Sequence, residues 1–260
     1  MVSLRKIAPA AFVAMVIGYL YAPIVVIVIF SLTTSPRLSM PIEGLTLSWY
    51  ASAFANPLIS TALRNSLTLA VISATLSGLM GAAFAFWIVA LKRARLRATL
   101  LTASLLPAIV PLLVIGIALA VFFRGIGLQQ GLFNAAIGHV LVSLPFVVLT
   151  MNARLETFDF SVLEAARDLG ATPARAFQDI TFPLIRPSVI GAAMLAAALS
   201  LDEFVVTWFN VGNQQTVPVL VWGLMRRGID PSINAIATVL LALLVCLVVA
   251  SNLVNRKKST

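Results

Sequence analysis

Six stretches of this chain are each long and apolar enough to cross a lipid bilayer. They run at Pro9–Leu32, Ala62–Leu91, Ala98–Phe123, Leu132–Met151, Ser188–Val211 and Ile233–Val254. A helix needs roughly 20 apolar residues to span the hydrocarbon core. Only helices or closed barrels satisfy every backbone polar group there. Six such stretches therefore predict an all-α integral membrane protein with six transmembrane helices. The composition agrees: 60% of the 260 residues are hydrophobic and 10% are charged. A soluble domain carries about 25% charged residues, and a disordered chain is poor in apolar ones. Both classes are excluded. The first stretch follows Arg5 and Lys6 as a signal peptide would. Its apolar run is too long, and no A-x-A-like site closes it, so it reads as a retained helix.

The net charge of +9 is a topology signal. With the N-terminus inside and the spans alternating, the inner segments hold Arg5, Lys6, Lys92, Arg93, Arg95, Arg97, Arg154, Arg167, Arg175, Arg186, Arg256, Lys257 and Lys258. Arg37, Arg64, Arg124, Arg226 and Arg227 fall outside. That bias toward the inner face predicts both termini inside, and no nucleic-acid partner is needed to explain the basic excess. Ser73, Ser77, Gly81 and Ala85 recur every four residues along the second span, and Ala192, Ala196 and Ser200 along the fifth. Small residues at that spacing let helices approach closely. Pro107, Pro111 and Pro145 are candidate kinks.

The loop between the fourth and fifth spans, residues 152–186, differs from the others. It and its margins carry Glu156, Asp159, Glu164, Asp168 and Asp179, five of the nine acidic residues. Ser161 and Glu164 have the spacing of a capping box, which predicts a helix from about Val162. Gly170 suits the left-handed position after its end. Thr172 followed by Pro173 predicts a second helix start. That helix should reach about Thr181 and stop before Pro183. The result is a helix-turn-helix, which reads either as an amphipathic pair on the membrane surface or as a docking element.

Glu164-Ala165-Ala166, Gly170, Ile180 and Pro183 stand at the spacing E-A-A-x3-G-x9-I-x-L-P, with Phe182 in place of the usual Leu. This resembles the loop of the integral membrane subunits of binding-protein-dependent ABC importers. Leu199–Thr207, Pro218 and Gly228–Thr238 look like the second permease of spermidine/putrescine-type systems, as do Tyr21-Ala22-Pro23 and Trp49-Tyr50. The resemblance implies one transmembrane domain over residues 1–260 with a coupling loop between helices 4 and 5. It implies that Glu164, Ala165, Ala166, Gly170, Ile180 and Pro183 form the interface to an ATPase. It also implies a homologous second permease, two ATPase subunits carrying ATP and Mg, an external solute-binding protein, and a place in the bacterial inner membrane.

The chain shows no catalytic constellation of its own. It lacks the G-x-x-x-x-G-K-[S/T] phosphate loop, so ATP hydrolysis belongs on another chain. His139 and Cys246 are the sole histidine and cysteine, too few for a Cys/His metal cluster. No cofactor is expected on this chain. His139 reads as structural.

Asp202 and Glu203 are the carboxylates within a span, about 22 Å from its inner end at 1.5 Å per residue. Intramembrane carboxylates usually face a water-filled path or a partner charge. They are predicted to line a path for a cationic solute. Pairing with an arginine such as Arg64, or holding two permeases together, are the alternatives. Trp49 is a candidate for the outer entrance, or an interface anchor. Leu112 follows Pro111 where polyamine-type relatives often carry an acid. A monoamine, an amino-acid derivative or another small cation therefore stays open as the solute. A self-sufficient secondary transporter is the competing class; it predicts half-helices or an inverted repeat.

Overall fold

The computed structural model describes residues 4–35, 42–226 and 231–256. Arg37, Arg227, Lys257, Lys258 and the Gly228–Asp230 part of the family-like stretch lie outside them. The described residues are helical, apart from turns and one isolated antiparallel bridge, Thr33 to Leu45. Two units are distinguished, residues 1–60 with 220–243, and residues 61–219 with 244–260.

In the first unit, α1 (Leu4–Ser31) is followed by the short α2 (Ser48–Ala55). The Trp49 indole N–H donates to the Thr33 carbonyl at 2.7 Å, and the Tyr50 hydroxyl meets Ser31 Oγ at 2.6 Å. The Trp-Tyr pair thus ties α2 to the end of α1. α12 (Val217–Met225) and α13 (Pro231–Arg256) begin and end across the unit boundary.

The second unit contains most of α3 (Pro57–Ala90), and then α4 (Ala94–Ser104), α5 (Leu106–Ile109), α6 (Leu112–Gly125) and α7 (Leu132–Glu156). α8 (Ser161–Asp168), α9 (Pro173–Ala176), α10 (Phe182–Asp202) and α11 (Val205–Asn210) follow. The small-residue stripes work as spacing predicts. Ser73, Ser77, Ala85, Ala192 and Ala196 are fully buried. A Cβ on Gly81 would sit 2.6 Å from Val147 Cγ1, so only glycine allows this approach of α3 to α7. Ala85, Val147, Met151, Leu155, Ile185 and Ala192 form the core that joins α3, α7 and α10.

Among the described residues four helices are long and apolar enough to cross a membrane: Ala11–Ser31, Pro57–Ala90, Leu132–Glu156 and Pro173–Asp202. The expected third and fifth spans are not single helices. Residues 98–123 are divided among α4, α5 and α6. Pro111 has no N–H and disfavours helical geometry in the residue before it. Val110 accordingly is extended, at φ −71° and ψ 132°, and Pro111 precedes the first turn of α6. The fifth span stops at Asp202, with Glu203 extended at φ −69° and ψ 108°.

The inner end of that span differs as well. The second loop helix does not stop before Pro183. α9 passes through a π-helical turn, Phe177–Thr181, directly into α10. Pro183 offers no N–H to the carbonyl four residues earlier and its ring crowds that carbonyl. A π turn widens the ladder where a helix meets such an obstacle, so Pro173–Asp202 runs as one 30-residue helix.

Candidate functional site

The loop between α7 and α10 is built by local backbone chemistry. α8 starts at Ser161 itself, so the predicted Ser161–Glu164 capping box is replaced by an aspartate cap. Asp159 Oδ1 accepts from the Ser161 backbone N–H at 3.0 Å and from its hydroxyl at 2.6 Å. These two hydrogen bonds hold the Asp159 carboxyl below its ordinary range. At the other end Gly170 has φ +88°. The Gly170 N–H donates to the Arg167 carbonyl and the Ala171 N–H to the Ala166 carbonyl. That is a complete Schellman stop, with two orphan carbonyls satisfied. Thr172 Oγ1 then accepts from the Arg175 N–H, and Pro173 opens α9.

This turn brings part of the predicted set together. Ala166, Gly170 and Ile180 line a shallow cleft of about 360 Å3, with Leu169, Arg175 and Asp179. Glu164 and Ala165 are exposed on α8, and Pro183 is exposed at the second residue of α10, just past the π turn. Leu163 faces the other way, against the α3–α7–α10 core. Leu169 was not singled out from the sequence, yet it is 90% exposed at the tip of the turn. Only its place just before Gly170 marks it.

The second predicted set, Asp202 and Glu203, lies at the break between α10 and α11. The two carboxylates have different environments. Asp202 is exposed, whereas Glu203 is 7% exposed. Glu203 Oε1 accepts the Val206 N–H at 2.7 Å, and its carbonyl accepts the Thr207 hydroxyl at 2.9 Å. Glu203 therefore satisfies the start of α11. Among the described residues no ion pair joins Arg64 to either acid.

The break is held by His139 on α7. Its Nδ1 lies 2.6 Å from Ser200 Oγ on α10 and its Nε2 lies 2.7 Å from Thr207 Oγ1 on α11. The Thr207 proton already goes to Glu203, so Thr207 accepts from Nε2–H. Nδ1 then accepts from Ser200, and the tautomer is fixed by the chain of donors. The Ser143 hydroxyl donates to the His139 carbonyl at 2.8 Å and receives Ser73 and Ser77 at 2.9 and 2.8 Å. Asn210 Nδ2 closes the far end of α11 on the Gly116 carbonyl at 3.0 Å. Near it a cleft of about 1140 Å3 is lined by Arg124, Gln129, Gln130, Asn134, Trp208 and Asn213. Among the described residues no group of acidic, histidine or cysteine side chains is arranged to hold a metal.

Residues 77–260 match the model of the family described as the inner membrane component of binding-protein-dependent transport systems. The chain belongs to that family. The matched residues include α7, the loop and the α10–α11 break. This inner membrane component is 35% identical to the spermidine/putrescine transport system permease protein PotC of Escherichia coli, over 98% of this chain and 96% of that one. It is 34% identical to the Escherichia coli putrescine transport system permease protein PotI, over 90% and 86% of the two chains. Its fold matches a chain of a bacterial alginate ABC transporter at TM-score 0.71 and 16% identity, covering 98% of this chain and 96% of that one. A chain of the MetNI methionine ABC transporter matches at 0.67 and 16%, covering 77% and 95%. With its apolar helices, the inner membrane component is a multi-pass protein of the bacterial inner membrane.

Proposed function

We propose that this permease subunit imports a polyamine, or a related small cationic organic solute, in an ATP-driven assembly. The observation that carries the solute class is near-full-length identity to PotC and PotI, whose names state spermidine and putrescine. In this reading the chain is one transmembrane domain with six crossings and both termini inside. The crossings are α1, α3, the α4–α6 series, α7, the α9–α11 series and α13. A related, non-identical permease, two ATPase subunits holding ATP and Mg, and an external solute-binding protein complete it.

The loop carries the coupling role. Glu164, Ala165, Ala166, Gly170, Ile180 and Pro183 meet the ATPase, and Leu169 belongs with them because a large apolar side chain so exposed has no packing role. On the solute side, Asp202 offers an exposed carboxylate to a cation. Glu203 contributes by shaping the break that aims Asp202, and Trp49 by fixing the segment after α1. With Leu112 after Pro111, a solute of lower charge than spermidine fits the single exposed acid better.

Proteoliposomes with all partners should take up putrescine or spermidine only when ATP is supplied. Replacing Glu164, Gly170 or Leu169 should leave ATP hydrolysis running without uptake. Normal coupling in those variants sinks the loop assignment. A secondary transporter predicts broken helices, and two breaks are present, at Val110–Pro111 and Glu203–Phe204. The family is binding-protein-dependent, so ion-driven uptake by this chain alone is not expected. Observing it would overturn the importer reading.

A further inference from the structure

An ion pair lies at the root of the loop, apart from the loop cleft and from the α10–α11 break. Arg97 Nη2 on α4 sits 2.6 Å from Glu156 Oε1, at the last residue of α7 where the loop begins. Asn152, one turn earlier and 3% exposed, donates Nδ2 to the same Oε1 at 3.1 Å. The other amide atom of Asn152, Oδ1, is buried with no partner. One carboxylate oxygen thus gathers a cation and a buried amide, and it is the point where α4 is tied to the root of the loop.

The third crossing is divided around this tie. α4 and α5 pack on α7, while α6 packs mainly on α11 and is bonded to it through Asn210 and Gly116. Val110–Pro111 lies between the two groups. The tie itself is light. It rests on a single oxygen, and its side chains are 31% and 49% exposed. Pairs of that kind contribute little net stability, which suits a contact that is broken and remade rather than a permanent brace.

We propose that Arg97 and Glu156, oriented by Asn152, form a releasable latch between α4 and the root of the loop. When the loop is pulled the latch opens, and α4–α5 swings at Val110–Pro111 while α6 stays with α11. Arg97 and Glu156 are then positioning residues for transport, an assignment that rests on the importer reading above.

The test uses the full chain in nanodiscs, with Cys246→Ser and spin labels at Ala98→Cys and Ala153→Cys. The unlatched variant is Glu156→Gln, and the restored one is the charge swap Arg97→Glu with Glu156→Arg. The parent should give one short label distance, Glu156→Gln should add a longer population, and the swap should remove it. In the full assembly without loaded binding protein, Glu156→Gln should raise ATP consumption by up to about fivefold, the ratio an exposed pair can shift. The swap should return it to the parent level. The latch is overturned if Glu156→Gln leaves the distances unchanged, or if the swap keeps the long population. Distances that respond while ATP consumption does not would overturn its part in coupling. A parent assembly with no ATP-dependent uptake would instead overturn the importer reading, and the distances would still decide the latch.

Discussion

The loop and the α10–α11 break sit on the same long helix but are held by opposite means. The loop uses contacts within a few residues: Asp159 to Ser161, Gly170 to Arg167, Thr172 to Arg175. Apart from Phe158, Leu163, Ala176 and Thr181, most of its side chains are left facing out. The break uses contacts across 60 or more positions, with His139 reaching Ser200 and Thr207, and Asn210 reaching Gly116. Its polar side chains Ser200, Glu203, Thr207 and Asn210 are spent inward, and Asp202 is left out. The proposed docking role suits a surface shaped by its own backbone, because its side chains are then free to bind. A bend inside a bundle has to be shaped by its neighbours, because no water is there to satisfy the exposed backbone.

That contrast is open to breaking. The largest effect is expected at the break. His139→Leu leaves the Ser200 and Thr207 hydroxyls without their imidazole and should cost about 2 kcal/mol. Denaturant titration of the chain in bicelles measures it, and a cost within error of zero means the break does not depend on α7. A smaller effect is expected at Gly170, where φ is +88°. Gly170→Ala should cost about 1 kcal/mol and loosen only the α8–α9 turn. Hydrogen exchange should show faster amides at Gly170 and Ala171 and unchanged ones around Ser200; a change at both would mean the regions are not independent.

The smallest effect concerns pH. The Asp159 carboxyl is held low by Ser161, so its cap is present above the ordinary carboxylate range. It is lost as pH falls through that lowered value. The first turn of α8 should therefore fray only in acid, seen as faster exchange at Glu164 and Ala165. Asp159→Ala should fray it at neutral pH too. An Asp159→Ala protein whose first turn stays protected at neutral pH would show that another group starts the helix.

The same contrast explains what could be read from the residues alone. Gly170 and Thr172-Pro173 act on their own neighbours, so their roles were legible, as was the four-residue spacing that buries Ser73, Ser77 and Ala85. Even there the start of α8 slipped by one residue, because Asp159 takes the Ser161 N–H and hydroxyl while the Glu164 N–H goes to the Phe160 carbonyl. The break at Glu203 carries no proline or glycine. Its cause is a histidine more than 60 positions away, which no local pattern marks. Pro107 and Pro111 were visible as candidate kinks. Pro111 ends one helix and starts another through its own geometry, but that α6 then packs on α11 is a long-range contact no local pattern marks. Leu169 shows its character only once the turn exposes it.

The uninterrupted helix from Pro173 to Asp202 has a mechanical consequence. At 1.5 Å per residue it is a rod of roughly 45 Å. One end carries Ile180 beside the loop cleft, and the other carries Ser200 and Asp202. A string passes on only tension, but a rod also passes on compression and torque. The two points of give, the π turn and Pro187, both lie in its loop-side half. Between Pro187 and Asp202 the helix has no further proline or π turn, so in the proposed coupling the direction in which the loop is turned, and not only how far it moves, is carried toward Asp202.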